Sequence, residues 1–551
     1  MGSQRSRLVV LCVLAVAESA ARGEAPSAPA GSAPQTPKRA GASTGDVRAL
    51  TELIDREVAA KWAAAGVKPA PQADDAEFLR RVSLDLIGKV PTVAEVHAFL
   101  DDPAPDKRET LVDRLLDGPA YVTHFTRVWR ALLLPEADSD FNVRFLAFDF
   151  DAWLKGQVAA NAGYDVLARG IVSAPLVENG RQGVNVYNRQ GEPTPLAFYM
   201  AKEGKPENLA ASTARLFLGV RIECAQCHDH PFARWKRDQF WGYAAFFGGV
   251  QKTGDDDGFG PIREVPDRRE LAIPGTDRVA QAGFLDGGEP QWRFRVGSRV
   301  TLADWMTSAD NPYFARAGVN RLWAHFFGAG LVEPVDDLGE DKTASHPELF
   351  DELARRFAAG GFDVKFLIRA LTASRAYRLS SDAPAESSTP GESGLITHMA
   401  VKALTPHQLF DSLARASGQV ERPGGRNPFE DELNSPRAGF LQKFARHDER
   451  PAETQTSILQ SLALMNGSFV TRATDPRNGP LLGAVAEAPF LDTASRVETI
   501  YLAALGRKPR PEELSKMAAY VDRGGTSTDP KAALADVLWA LLNSAEFLFN
   551  H

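Results

Sequence analysis

Cysteine is scarce: the chain has 551 residues and 3 of them are Cys. So few thiols exclude a small secreted scaffold stapled by disulfides. A basic surplus is missing too, since 63 Lys and Arg stand against 71 Asp and Glu for a formal net charge of -8. That balance argues against a dedicated nucleic-acid binder, which needs a basic face. Long apolar runs are also absent. Leu8 to Ala17 is unbroken, and no other run approaches the roughly 20 residues a membrane-spanning helix needs. Neither a Gly-x-Ser-x-Gly elbow, a Walker loop, a His-Glu-x-x-His pair nor a dinucleotide-binding glycine fingerprint occurs. What is there is ordinary for a globular protein, 44% hydrophobic and 24% charged. The length exceeds what one core fills, so more than one domain is expected.

The N-terminus has the layout of a secretory signal peptide. Arg5 and Arg7 precede the apolar run, and small residues follow, with cut points after Ala17, Ala21 or Ala25. An uncleaved N-terminal anchor is the alternative. Cys12 lies inside the apolar run without a lipobox around it. The stretch 26–45 places Pro26, Pro29, Pro34 and Pro37 among Ala, Ser and Gly, a composition that cannot build a core and reads as a tether.

Beyond it the sequence is helical. Leu50, Leu53, Ile54 and Val58 recur with the period of one helix face. Thr92 and Glu95 have capping-box spacing, and 107–116 forms a further helix closed by Gly118-Pro119. Pro206 to Glu223 reads as a helix that carries the pentapeptide Cys224-Ala225-Gln226-Cys227-His228 at its C-terminal end. The segment 248–297 differs: Gly248-Gly249, an acidic run, several prolines and short extended pieces such as Trp292 to Val296 make it the β-containing junction. Helices resume at Thr301, with candidates at 311–327, 348–358, 364–373, 406–416, 456–465, 493–504, 511–522 and 531–543. The stretches 380–393 and 418–436 are expected to be mobile. The expected fold is mainly α, with two helical domains joined by an irregular segment holding a few short β-strands.

Cys-x-x-Cys-His is the attachment signature of a c-type haem. Two thiols bond the vinyl-derived carbons on one edge of the ring, and the adjacent His228 reaches the iron. Phe232, Trp235, Phe240, Trp241, Tyr243, Phe246 and Phe247 crowd the following residues, although the chain averages 9% aromatic. They could wall a haem face. Other readings compete. Cys224, Cys227, His228 and His230 offer zinc four sulfur and nitrogen donors, with His228 and His230 as the imidazole ligands. The thiols could instead form a local disulfide, and the aromatics could be plain core. Met200, Met306, Met399, Met465, His325 and His346 are the candidates for a second axial ligand, although a lone His such as His325 is more often a satisfied core residue. Arg316, Asn320 and Arg321 share one helix and read as a buried network between helices. The pairs Asp336-Asp337 and Asp448-Glu449 read as solvated faces.

The run 216–232 around the pentapeptide resembles the hallmark of the planctomycete cytochrome-C-like domain of the PSCyt kind. Trp235, the stretch 240–247 and the earlier run 78–88 fit the same family. The second half resembles its usual companion, the PSD domain, through 302–305, 311–316, 320–328, 345–349 and 538–551. Both domains are of unknown function. The resulting layout is a signal peptide over 1–25, a linker over 26–45, a helical cytochrome-C-like domain over 46–249, a junction over 250–298 and a helical PSD-type domain over 299–551. The expected function is that of an exported c-type haem protein, in electron transfer or redox chemistry outside the cytoplasmic membrane. The alternative is a non-catalytic cell-envelope binding or structural protein with Cys224 and Cys227 in a zinc clip or local disulfide. The expected partner is an exported redox protein or envelope component, with neither nucleic acid nor a transmembrane segment in the mature chain.

Overall fold

A computed structural model describes residues 43–178, 181–184, 186, 191–252, 261–265, 267–339, 342–382, 394–419, 435–444, 465–477 and 479–551. The export signal, most of the linker, all but Met465 of the helix expected at 456–465, and most of 380–393 and 418–436 lie outside the described residues, as does Asp448-Glu449.

The first half contains α1 (Thr44–Ala65), α2 (Asp75–Ile87), α3 (Val93–Leu100), α4 (Lys107–Asp117), α5 (Pro119–Leu133), α6 (Phe141–Ala159), α7 (Tyr164–Val172), α8 (Ala197–Ala201), α9 (Pro206–Thr213) and α10 (Arg237–Ala244). The second contains α11 (Ser298–Met306), α12 (Phe314–Phe327), α13 (Pro347–Ala359), α14 (Val364–Ala373), α15 (Pro406–Ala416), α16 (Pro436–Phe444), α17 (Ser468–Ala473), α18 (Pro480–Glu487), α19 (Thr493–Leu505), α20 (Pro511–Asp522), α21 (Pro530–Leu542) and α22 (Ala545–Leu548). The fold is mainly α, as the sequence led us to expect. Local chemistry sets many of the boundaries. Thr92 and Glu95 close a capping box at α3, Thr405 and Gln408 do the same at α15, and proline occupies the first turn of α5, α9, α13, α15, α18, α20 and α21. None of the described helices is long and apolar enough to cross a membrane.

The junction carries two antiparallel hairpins, β3 (Val250–Lys252) with β4 (Ile262–Glu264) and β5 (Glu270–Ala272) with β6 (Val279–Gln281). Two further pairs are β1 (Val177–Glu178) with β2 (Arg181–Gln182), and β7 (Lys402–Ala403) with β8 (Phe549–Asn550). The extended piece expected at Trp292 to Val296 is not a strand. It turns at Arg295, whose φ of 61° is left-handed and breaks any strand pairing.

Two buried apolar clusters hold the described helices together. One draws on α1 through α14, from Leu50 to Met399, and also takes Leu502 of α19. The other is built from α15 to α22 with Leu84 of α2 and the nearby Val90. Helix α2 lies between them and is buried from Phe78 to Ile87, including Arg80, Arg81, Ser83 and Asp85. Burial of such groups requires partners. Arg80 donates to the carbonyls of Ala504, Glu546 and Phe547, and Arg81 donates to the Tyr377 carbonyl and pairs with Glu77. Asp85 accepts from Tyr377 Oη at 2.8 Å, Lys402 Nζ at 2.7 Å and Asn550 Nδ2 at 2.7 Å. The run 78–88 is thus the strut that ties the early helices to the end of the chain.

Candidate functional site: the turn from Cys224 to His228

The helix leading to the motif ends earlier than its sequence implies. Helix α9 passes into a π-turn over Ala214–Leu218, and Gly219 closes it with a left-handed φ of 63°. A Cβ at Gly219 would lie 2.9 Å from Leu338 Cδ1 and 3.2 Å from Ala317 Cβ, so the position requires glycine. Leu338 N donates to the Gly219 carbonyl at 2.6 Å. Asp336 bridges the two sides by pairing with Arg215 at 2.6 Å and Arg221 at 2.5 Å. Its side chain is mostly enclosed, which corrects the reading of Asp336 as part of a solvated face. Arg321 of α12 donates to the carbonyls of Arg215 and Leu216, and Asn320 is bonded to both Val332 and Val335. Asn320 and Arg321 thus form the expected buried network and anchor the π-turn, while Arg316 pairs at the surface with Asp351.

The pentapeptide therefore starts on its own short 3-10 turn, Glu223–Gln226, with Cys227 as the C-cap, rather than on the end of α9. Ile222 and Ala225 point into the core, which turns Cys224, Cys227 and His228 outward. Trp241 Nε1 of α10 donates to the Gln226 carbonyl at 3.0 Å and holds the turn from below. Burial raises the carboxyl of Glu223, next to Cys224. Both cysteines are free thiols at the surface. No three His, Cys, Asp or Glu side chains among the described residues are gathered as a metal-binding group. Cys224, Cys227, His228 and His230 thus share one surface segment without being assembled into a ligand cage.

The two histidines are placed in opposite ways. His228 Nδ1 lies 2.8 Å from the Asp229 carbonyl. A carbonyl only accepts, so Nδ1 carries the hydrogen and the neutral ring keeps a bare lone pair on Nε2. His230 Nδ1 instead accepts from the backbone N–H groups of Phe232 and Ala233 at 3.2 and 2.9 Å, so its neutral ring carries the proton on Nε2. In this arrangement His230 is a turn cap with no lone pair to offer. Asp229 accepts from Arg237 N and Lys236 Nζ, at 3.0 Å each, and these two donors hold its carboxyl below the usual carboxylate range.

The aromatic residues after the motif are core. Trp235, Phe240, Trp241, Tyr243, Phe246 and Phe247 are all buried, and Tyr243 Oη meets Thr213 Oγ1 at 3.2 Å. Phe246 stacks on Phe284 at 5.2 Å, and Phe284 on Trp305 at 4.7 Å. Only Phe232, 86% exposed, faces outward from this group. Of the second-ligand candidates, Met200, Met306 and Met399 are buried in the first cluster, and Met465 is exposed. His346 contacts Ser345 Oγ, while His325 Nε2 contacts the Asp85 carbonyl beside the α2 strut.

Two family models match the chain, in this order. PSCyt2, described as a protein of unknown function (DUF1549), covers residues 53–252, and PSD1, described as a protein of unknown function (DUF1553), covers residues 298–451. The chain carries a PSCyt2 region followed by a PSD1 region. The PSCyt2 region contains the α2 strut and the whole motif turn, and the PSD1 region supplies the 331–339 loop and the α12 side chains that brace that turn. No curated protein and no solved structure matches the chain.

Proposed function

We propose that this PSCyt2–PSD1 protein is an exported redox protein carrying one c-type haem on Cys224 and Cys227, with His228 as the iron ligand. The observation that carries the reading is the hydrogen bond from His228 Nδ1 to the Asp229 carbonyl, which leaves Nε2 free to ligate. Metal-ligating histidines take this tautomer, with the other ring nitrogen donating to a carbonyl or carboxylate. The thiols also fit, being free and accessible to a ring approaching from solvent. The buried aromatics do not fit as a haem wall, so the ring would rest on the outer face of the turn with Phe232 as its exposed aromatic neighbour. His230 belongs to the scaffold in this reading. It clamps the segment 230–235 and fixes the direction in which His228 leaves the turn. A haem held there supplies one-electron transfer. The N-terminal basic and apolar run would send the chain to the compartment where such haems mature, and its partner would be an exported electron donor or acceptor.

The test is production of the full chain in a host with haem c maturation machinery, followed by in-gel haem staining and intact mass. A stained band heavier by one haem is expected, lost in the C224S/C227S double variant. An unstained band at the unmodified mass sinks the proposal. Stoichiometric zinc on that unstained band would move the assignment to the zinc clip, and a mass lower by two hydrogens would move it to the local disulfide.

A further inference from the structure

A cavity of about 260 Å³ opens beside the motif turn, lined by Phe232, Ala233, Arg234, Trp235, Tyr313 and the 338–339 segment. It far exceeds the ~10–15 Å³ that admits a single water and approaches the ~300 Å³ at which small-ligand sites begin. Its walls are held from both family regions. His230 fixes the near wall, donating its N–H to the Trp235 carbonyl and accepting from Phe232 and Ala233. The far wall is Tyr313, immediately before α12, whose N–H bonds Asn311 Oδ1 at 3.0 Å.

The lining is aromatic and donor-rich. The Trp235 and Tyr313 rings stand 6.4 Å apart at 58°. The Arg234 guanidinium lies over the Trp235 ring at 5.1 Å and donates to Tyr313 Oη at 2.9 Å. Trp235 is nearly fully buried, and its indole N–H, which has no acceptor among the described residues, is not sealed from solvent. Phe232 is the other unusual member, a phenyl ring left in solvent at the mouth of an aromatic cavity.

We infer that this cavity binds a planar aromatic small molecule of one or two fused rings that bears a hydrogen-bond-accepting oxygen. The ring is held between Phe232 and the Trp235–Tyr313 walls, where offset or edge-on stacking favours a flat π-system. The oxygen accepts from the indole N–H of Trp235. Phe232 also neighbours the proposed haem, so the titration uses the chain with unmodified cysteines, where its outcome does not depend on that reading.

Titration of the full chain with naphthalene-2-carboxamide, followed by ligand-observed saturation-transfer NMR, tests it. The fully saturated decahydronaphthalene amide is the control, since it keeps the oxygen and loses the flat ring. Binding in roughly the millimolar range or tighter is expected for a ligand of this size. The saturated amide is expected to bind roughly two- to tenfold more weakly. Phe232→Ala removes an exposed ring without touching the core and is expected to weaken binding severalfold. Ala233→Leu fills the cavity and is expected to abolish binding at an unchanged melting temperature. The inference is overturned by no binding at roughly 10 mM, by equal affinity for the two amides, or by affinities that neither variant changes.

Discussion

Replacing Lys402 with methionine tests whether the α2 strut is a buried charge pair or an incidental contact. Lys402 Nζ donates to Asp85 Oδ1 at 2.7 Å and to the carbonyls of His325 and Phe326 at 2.9 and 3.1 Å. The two side chains are 11% and 3% exposed, so solvent screens the pair little. Lys402→Met removes the cation and leaves the Asp85 carboxylate with two neutral donors, Tyr377 Oη and Asn550 Nδ2. Leaving a charge unpaired in such a site costs about 3–5 kcal/mol. Asp85→Asn strands the ammonium and is expected to cost a similar amount. The double variant removes both charges, so its cost should fall well below the sum of the two, by about 2–3 kcal/mol of coupling. Urea unfolding followed by far-UV ellipticity on wild type, both singles and the double measures each corner of the cycle. A Lys402→Met cost below about 1 kcal/mol, or additive singles, would refute the reasoning. Either result would mean that water or chain relaxation compensates the carboxylate.

Three further outcomes are expected. Burial pushes His346 down to about 4 from its ordinary 6.5, so the unfolded chain takes up a proton that the folded chain refuses. Stability should therefore be full above pH 6.5 and fall as pH drops towards 4, with His346 accounting for up to about 3 kcal/mol. His124 and His407, held neutral chiefly by burial, act in the same direction, and urea midpoints between neutral and mildly acidic pH read the slope. Gly219→Ala forces a left-handed φ on alanine and drives its Cβ against Leu338 and Ala317, which should cost about 1–3 kcal/mol in urea unfolding. A neutral result there would mean that the 331–339 loop is not docked on the π-turn. Asp336→Ala removes two ion pairs whose arginines are 41% and 36% exposed, so the expected loss is only about 1 kcal/mol, smaller still in roughly 1 M salt.

The helices were legible where their signals are local. The capping pair Thr92–Glu95 and the apolar stripe of α1 act within a few residues, so the sequence displays cause and effect together. The spacing of Cys224, Cys227 and His228 was legible for the same reason. The end of α9 was not. Gly219 looks permissive in the sequence, and only the approach of Leu338 and Ala317 makes it a stop. Arg80, Arg81 and Asp85 share a helix whose pattern is visible, while their partners, among them Tyr377, Lys402, Ala504, Phe547 and Asn550, come from far along the chain.

The candidate site divides along the same line. Amino-acid order alone determined that two thiols and a histidine share one turn, because covalent spacing cannot be undone by folding. It also placed an aromatic cluster directly after them. Tertiary packing decided the rest. The aromatics, save Phe232, were spent on the core, since burying their large apolar area against α9 and the junction is worth more than leaving it for a cofactor. The two histidines were given opposite roles by which backbone groups reach their Nδ1 atoms: a carbonyl at His228 and two N–H groups at His230. Ring-nitrogen chemistry depends on hydrogen-bond partners within 3 Å or so, and those partners exist only once the turn has closed.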